Sequence, residues 1–306
     1  MTFPALSIAG MIFSVVISLG LPIALLILVR KKKKGAFLAA GIGAAGFVVF
    51  TMLLEPLLHN VVLGNVPAIK NNAALLVLYV CLTVGVFEET ARLLGLIIVK
   101  RWHEKRKLPF SSGLMFGVGH GGAESIFAVG LTALTNLMVA INLNTQGLGA
   151  LTAGMTEEQV AGATEQLSAM VSAPSSAYFL MGVERITAIF FHIALSVLIW
   201  MVVTKRLHWI WYPAAILLHA VGNVPVRLYA GGILTSLWLV DLLTALVTGA
   251  IIVLVWLLYR DCKRKRALAK QKRLEEEQTG EREKPRDGEG EPSSPMKDKA
   301  FLDGEL

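Results

Sequence analysis

Apolar and polar positions fall into long separate blocks along this chain. Seven apolar runs stand at roughly 6–29, 36–58, 73–99, 110–140, 176–203, 209–228 and 234–258. Each has the ~20 residues that carry an α-helix across about 30 Å of hydrocarbon. The pattern predicts an all-α fold, a polytopic integral membrane bundle of about seven transmembrane helices over residues 1–259. With 55% of the 306 residues hydrophobic and a mean hydropathy of +0.62, little chain is left for a second folded domain. From residue 260 the pattern ends. Residues 260–306 carry 13 Lys/Arg and 12 Asp/Glu and include the stretch GEGEPSSP. This part reads as a charged, largely disordered cytoplasmic tail, with a short helix over DCKRKRALAKQKRLEEEQ.

Charge adds the orientation. The loops 30–34 (RKKKK) and 100–109 (KRWHEKRKLP) hold five basic residues each, and Lys205, Arg206 and the Arg260–Arg266 stretch follow the same side. The alternate loops are almost bare: 59–72 has Lys70 alone, and 142–175 has no Lys or Arg. The positive-inside rule then predicts an outside N-terminus and a cytoplasmic C-terminus. The sequence pI of 9.4 reflects this bias, and basic residues spread over separate loops exclude a nucleic-acid surface. The first run is too long for a signal-peptide core, and its positive charges follow it, so it reads as a retained span. Cys81 falls inside the third run and Cys262 in the tail, which excludes a disulfide between them. In the outer loop 142–175, Thr156 and Gln159 have capping-box spacing, predicting a surface helix over about 157–170.

The informative positions are the polar ones inside the apolar runs, where a charge at mid-bilayer costs several kcal/mol and usually persists for function. The third run holds Glu88, Glu89 and Arg92, and the fourth reads FGVGHGGAE, with His120 and Glu124. The fifth holds Glu184, Arg185 and His192, and the sixth reads LHAVGN, with His219 and Asn223. Counted from the basic ends, Glu88, Glu89, His120, His192 and His219 all lie about 15–18 Å deep, near the midplane. Spacings of three, four or seven residues gather each set on one helix face. Four helices thus present polar stripes at one depth. Structural alternatives stay open for others. Glu184–Arg185 also reads as an interhelical clamp and Asp241 as a structural residue, while Glu55, His59, His103 and His208 read as surface groups. The glycines around His120 fit either close helix packing or a locally loosened helix.

Glu88-Glu89 followed by Arg92, then F116-G-V-G-H120, then H219-A-V-G-N223, resembles the CAAX-protease and bacteriocin-processing superfamily of intramembrane proteases. The HGG-E after FG and the GVER helix ending in FH resemble its YhfC branch, and the likeness covers most of residues 1–259. Here the Arg follows the Glu pair after two residues, where the superfamily usually has three. Glu124 and His192 lie outside the general superfamily pattern. The resemblance implies a peptidase acting within the bilayer on a membrane-embedded or lipidated protein or peptide. It implies Glu88 or Glu89 as the base that activates water, helped by His120, with His219 and Asn223 facing the oxyanion. A zinc ion held by His120, His192, His219 and Glu89 is the alternative, and HExxH is absent. Two rival classes use the same groups: a proton-coupled transporter, against which no inverted repeat is seen, and a non-enzymatic membrane scaffold or immunity protein.

Overall fold

A computed structural model describes residues 1–30, 37–102 and 108–282. His103, most of the basic residues of the first two positive loops, and the chain beyond Arg282 lie outside the described residues. The described residues contain helices and no strands. Four long rods come first: α1 (Ala5–Leu28), α2 (Phe37–Asn65), α3 (Ala73–Trp102) and α4 (Phe110–Gln146). The surface helix α5 (Glu157–Ser172) follows, then α6 (Ser175–Val203), α7 (Trp211–Ala230) and α8 (Leu237–Arg282). α1, α2 and α4 each widen into a π-helical turn midway, at Val16–Gly20, Phe47–Leu54 and Ser125–Gly130.

The protein is a polytopic helical membrane bundle. Among the described residues six helices are long and apolar enough to cross a bilayer: α1 to α4, α6 and α8. The count of seven spans drawn from the sequence differs at α7. That helix has 20 residues, long enough by its rise, but His219, Asn223, Arg227 and two prolines dilute its hydropathy. Large apolar side chains such as Leu6, Leu57, Leu78, Met138, Leu217 and Leu246 point outward, as a lipid-facing surface requires.

α6 is the central post. Buried residues make up 67% of its most apolar window, against 22–33% in the other five spans. It packs on α4, α8 and α1, while α3 packs on α7 and α2 on α4. Contacts at the two ends fix the alternating direction of the rods. At the basic end Lys100 donates to the Val203 carbonyl (2.8 Å), and Trp200 donates to that of Leu108 (3.0 Å). At the opposite end the Phe3 amide donates to Asn144 (2.7 Å), and Ser7 meets Ser175 (2.9 Å). Each end also has its own apolar cluster. Met115, Leu195, Leu198, Ile199 and Trp200 belong to the first, and Phe3, Met11, Ala140, Leu143 and Tyr178 to the second. The polar stripes lie between them.

The glycines of α4 serve close packing rather than loosening, since Phe110–Glu124 is regular α-helix. A Cβ on Gly117 would meet the Ile193 Cα of α6 at 2.5 Å, and one on Gly119 would overlap the Ala40 carbonyl of α2. α4 is therefore squeezed between two backbones, which sets His120 between α2 and α6. The expected surface helix is present as α5, with both capping-box hydrogen bonds formed by Thr156 and Gln159. The expected short tail helix is instead a continuation of α8, one helix from Leu237 to Arg282. Glu55 is corrected from a surface residue to a buried one: its Oε1 accepts from His59 Nε2 (3.0 Å), and His59 Nδ1 meets the Tyr79 hydroxyl (3.0 Å). His208 is exposed, as its position in a loop predicts.

Candidate functional site

Four helices deliver their polar stripes to one buried cluster. Glu89, Arg92 and His120 have no exposed surface, and Glu88, His192 and His219 are 1–3% exposed. Glu88 is the hub. Its Oε2 lies 2.8 Å from His120 Nε2, 3.5 Å from His192 Nδ1 and 3.7 Å from His219 Nε2. Donor atoms of Glu88, His192 and His219 all fall within 4.8 Å of one another, a spacing that suits a single metal ion. The sequence reading put Glu89 among the ligands. The structure puts Glu88 at the hub and sets Glu89 behind it.

The outward faces of the rings decide how they present their inward nitrogens. His219 Nδ1 donates to Glu89 Oε1 (2.7 Å), leaving the Nε2 lone pair toward Glu88. His192 Nε2 meets Glu124, leaving Nδ1 inward. Each ring thus has a carboxylate on its far side, the arrangement that fixes the tautomer of a metal-binding histidine and raises its basicity. His120 donates from Nε2 to Glu88, and its buried Nδ1 has no partner. Aromatic edges hold the rings: Phe47 against His120 (5.5 Å between centroids), and Phe191 against His192 (5.3 Å) and His219 (5.1 Å).

Two guanidiniums offset the carboxylates. Arg92 bridges Glu88 (3.3 Å) and Glu89, an i, i+4 and an i, i+3 pair on α3. Arg185 joins Glu184 on its own helix to Glu124 on α4 (3.1 Å), so it is an interhelical clamp and a support of His192 at once. Four carboxylates and two guanidiniums leave two negative charges when the histidines are neutral. A divalent cation balances that charge, and the nitrogen-and-carboxylate donor set is the kind zinc takes. Arg92 touches both rings: its Nη1 is 3.2 Å from His219 Nδ1, and its Nη2 opposes a metal by lying on His192 Nδ1. That nitrogen is free to ligate once the guanidinium turns fully onto the two glutamates it already touches.

The cluster opens on a cavity of about 210 Å³ that runs from Glu88, His192 and His219 past Phe191 and Asn223 to Arg227 on α7 and Thr244 and Thr248 on α8. Asn223 donates to the His219 carbonyl at 3.3 Å. Asp241 lies off this lining, with its Oδ2 buried and unpartnered. Arg227 was not singled out from the sequence, although it sits four residues after Asn223 and eight after His219. That spacing was the available signal.

Residues 17–244 match the sequence profile of a family described as "YhfC intramembrane metalloprotease". The chain belongs to the YhfC family. It is 34% identical over 234 residues, 75% of this chain and 87% of the relative, to the "Uncharacterized membrane protein YhfC" of Bacillus subtilis (strain 168). No solved structure matches it significantly. The matched region of this YhfC-family chain includes Glu88, Glu89, Arg92, His120, Glu124, His192, His219 and Asn223. It ends at the α8 residues that close the cavity.

Proposed function

We propose that this YhfC-family protein is an intramembrane metallopeptidase of a bacterial cytoplasmic membrane. It hydrolyses a peptide bond of a membrane-embedded or lipidated protein or peptide. The observation that carries this reading is the buried Glu88–His192–His219 group, with Glu124 and Glu89 seated on the outer nitrogens of its two histidines. Glu88, His192 and His219 would hold zinc, with His120 the further nitrogen beside Glu88. When bound, zinc supplies a Lewis acid for the scissile carbonyl and lowers the pKa of water to about 7.

The remaining groups orient, donate and exclude. Glu89 and Glu124 lock the tautomers of His219 and His192, and Arg185 with Glu184 holds Glu124 in position. Arg92 pairs with Glu88 and Glu89 and so holds both carboxylates in place on α3. His120 donates to Glu88 and holds that carboxylate toward His192 and His219. Asn223 lines the cavity one helical turn after His219, in reach of a substrate carbonyl. Phe47, Phe116 and Phe191 keep bulk water from the cluster.

The test compares wild type with Glu88→Gln and His219→Ala, using proteomics of membrane fractions and metal analysis of the purified chain. The expected result is one zinc per wild-type chain, lost in His219→Ala, with protein fragments that vanish in both variants. Cleavage that survives strong chelator, with no metal found, would favour the glutamate mechanism instead. If no fragment differs and a solute flux is lost in the variants, the protein is a carrier.

A further inference from the structure

The lining of the cavity extends beyond the cluster and includes polar groups that the proposed chemistry leaves unused. Among the described residues Arg227 makes no hydrogen bond or ion pair, and its buried Nε has no partner. The cavity's other guanidinium, Arg185, is engaged by Glu184 and Glu124. Four carboxylates share the surroundings of Arg227, and all have partners: Glu88 and Glu124 in the cluster, Glu184 on Arg185, and Glu55 on His59.

Across the cavity stand Thr244 and Thr248, one turn apart on α8, 8% and 4% exposed. Threonines inside apolar helices normally return their hydroxyl to the carbonyl four residues back. Thr83, Thr90, Thr135, Thr145, Thr152, Thr164, Thr187 and Thr204 all do so here. Thr51 on α2 and Thr244 and Thr248 do not, and their buried hydroxyls have no partner; of the three, Thr244 and Thr248 line the cavity. An unpaired guanidinium and two unused hydroxyls therefore face one small space, where unsatisfied polar groups are costly unless a ligand takes them.

We infer that this cavity holds a subsite for a carboxylate of the peptide substrate, received by Arg227 with Thr244 and Thr248. The inference rests on the peptidase reading above and names the substrate feature that positions the scissile bond. One guanidinium matches the single charge of a carboxylate, whereas a phosphate monoester brings nearly two. The subsite lies toward the end opposite the basic loops: Arg227 is 16 residues into α7, about 24 Å from its start at that end.

Binding is measured apart from cleavage, with the full chain in phosphatidylcholine nanodiscs. The probes are fluorescent, palmitoylated twelve-residue Ala/Leu peptides ending in a free carboxylate or a carboxamide. A second pair has amidated ends and an internal Glu or Gln. At least one carboxylate peptide is expected to bind about tenfold tighter than its neutral twin, the factor of one charge-assisted hydrogen bond. Arg227→Gln should reduce its binding to the level of the neutral twin. Thr244→Val/Thr248→Val, which keeps side-chain shape, should lower it several-fold. Equal binding of both pairs to wild type overturns the inference, as does a preference that survives Arg227→Gln. It also falls if neutral discs show no preference and phosphatidylglycerol raises thermal stability through Arg227, since the ligand is then a lipid headgroup. Should Arg227→Gln fail to fold, the threonine double variant decides by the same criterion. Peptides bound with the preference but never cut retire the peptidase reading and leave the subsite standing. Peptides cut without any preference do the reverse.

Discussion

Glu124→Gln separates a metal-positioning network from a set of merely structural ion pairs. The carboxylate meets His192 Nε2 and accepts from Arg185 Nη1 at 3.1 Å, and its side chain is 20% exposed. Glutamine has the same size, so no cavity is made. What changes is that the amide presents a neutral oxygen or an N–H to His192. The ring loses the charge that fixes its Nε2–H tautomer, and the Nδ1 lone pair facing Glu88 becomes less basic. Replacing such a partner typically lowers metal affinity about 10–100-fold, or about 1.4–2.8 kcal/mol at 1.4 kcal/mol per tenfold. Breaking a buried ion pair can cost 3–5 kcal/mol of stability when a charge is left alone. Here Arg185 keeps Glu184, with Nε–Oε2 at 2.5 Å, so about 1–2 kcal/mol is expected. Zinc affinity, measured by competition with a chelating dye in detergent, should fall by that factor, while the thermal melt of the metal-free protein shifts only modestly. Unchanged zinc affinity, or a melt that collapses while zinc binding persists, would refute the assignment of Nδ1 as the inward ligand.

Three further outcomes follow from the same structure. Gly119→Ala drives a methyl into the Ala40 carbonyl, and overpacking of about 1–3 kcal/mol should lower the melting temperature and the zinc stoichiometry together; a neutral result would mean that α2 and α4 can part freely. Zinc affinity should fall as pH drops, because protonated imidazole has no lone pair to give; flat affinity from pH 7.5 to 5.5 in a competition assay would remove histidine from the ligand set. Truncation after residue 275 should leave melting temperature and zinc content unchanged, since α8 is exposed on all sides from Lys263 to Glu276; loss of the folded body on gel filtration would contradict it.

The sequence by itself determined the membrane-helical class and the rods, and it predicted one common depth for the polar groups. Blocks of some 20 apolar residues have essentially one way to satisfy their backbone in lipid, and residue count along a helix converts directly to depth. It also fixed local features such as the Thr156–Gln159 cap, which depends on groups three residues apart. It counts α7 as a seventh span, a helix in which the polar groups that build the site lower the hydropathy that marks a helix as spanning. Only the tertiary structure decided roles among the gathered residues. Glu88 and Glu89 are adjacent in sequence and about 100° apart around α3, so one faces His120 and His192 while the other sits behind His219. Glu55 could not be read as buried, because Tyr79, which meets its partner His59, comes from a different helix. Arg227 went unnoticed for the same reason: what makes it distinctive is the absence of a partner, and the potential partners are supplied by α4, α6 and α8. Pairing across helices depends on rotation and packing, which here rest on contacts such as Gly117 on Ile193, and no single-helix pattern encodes them.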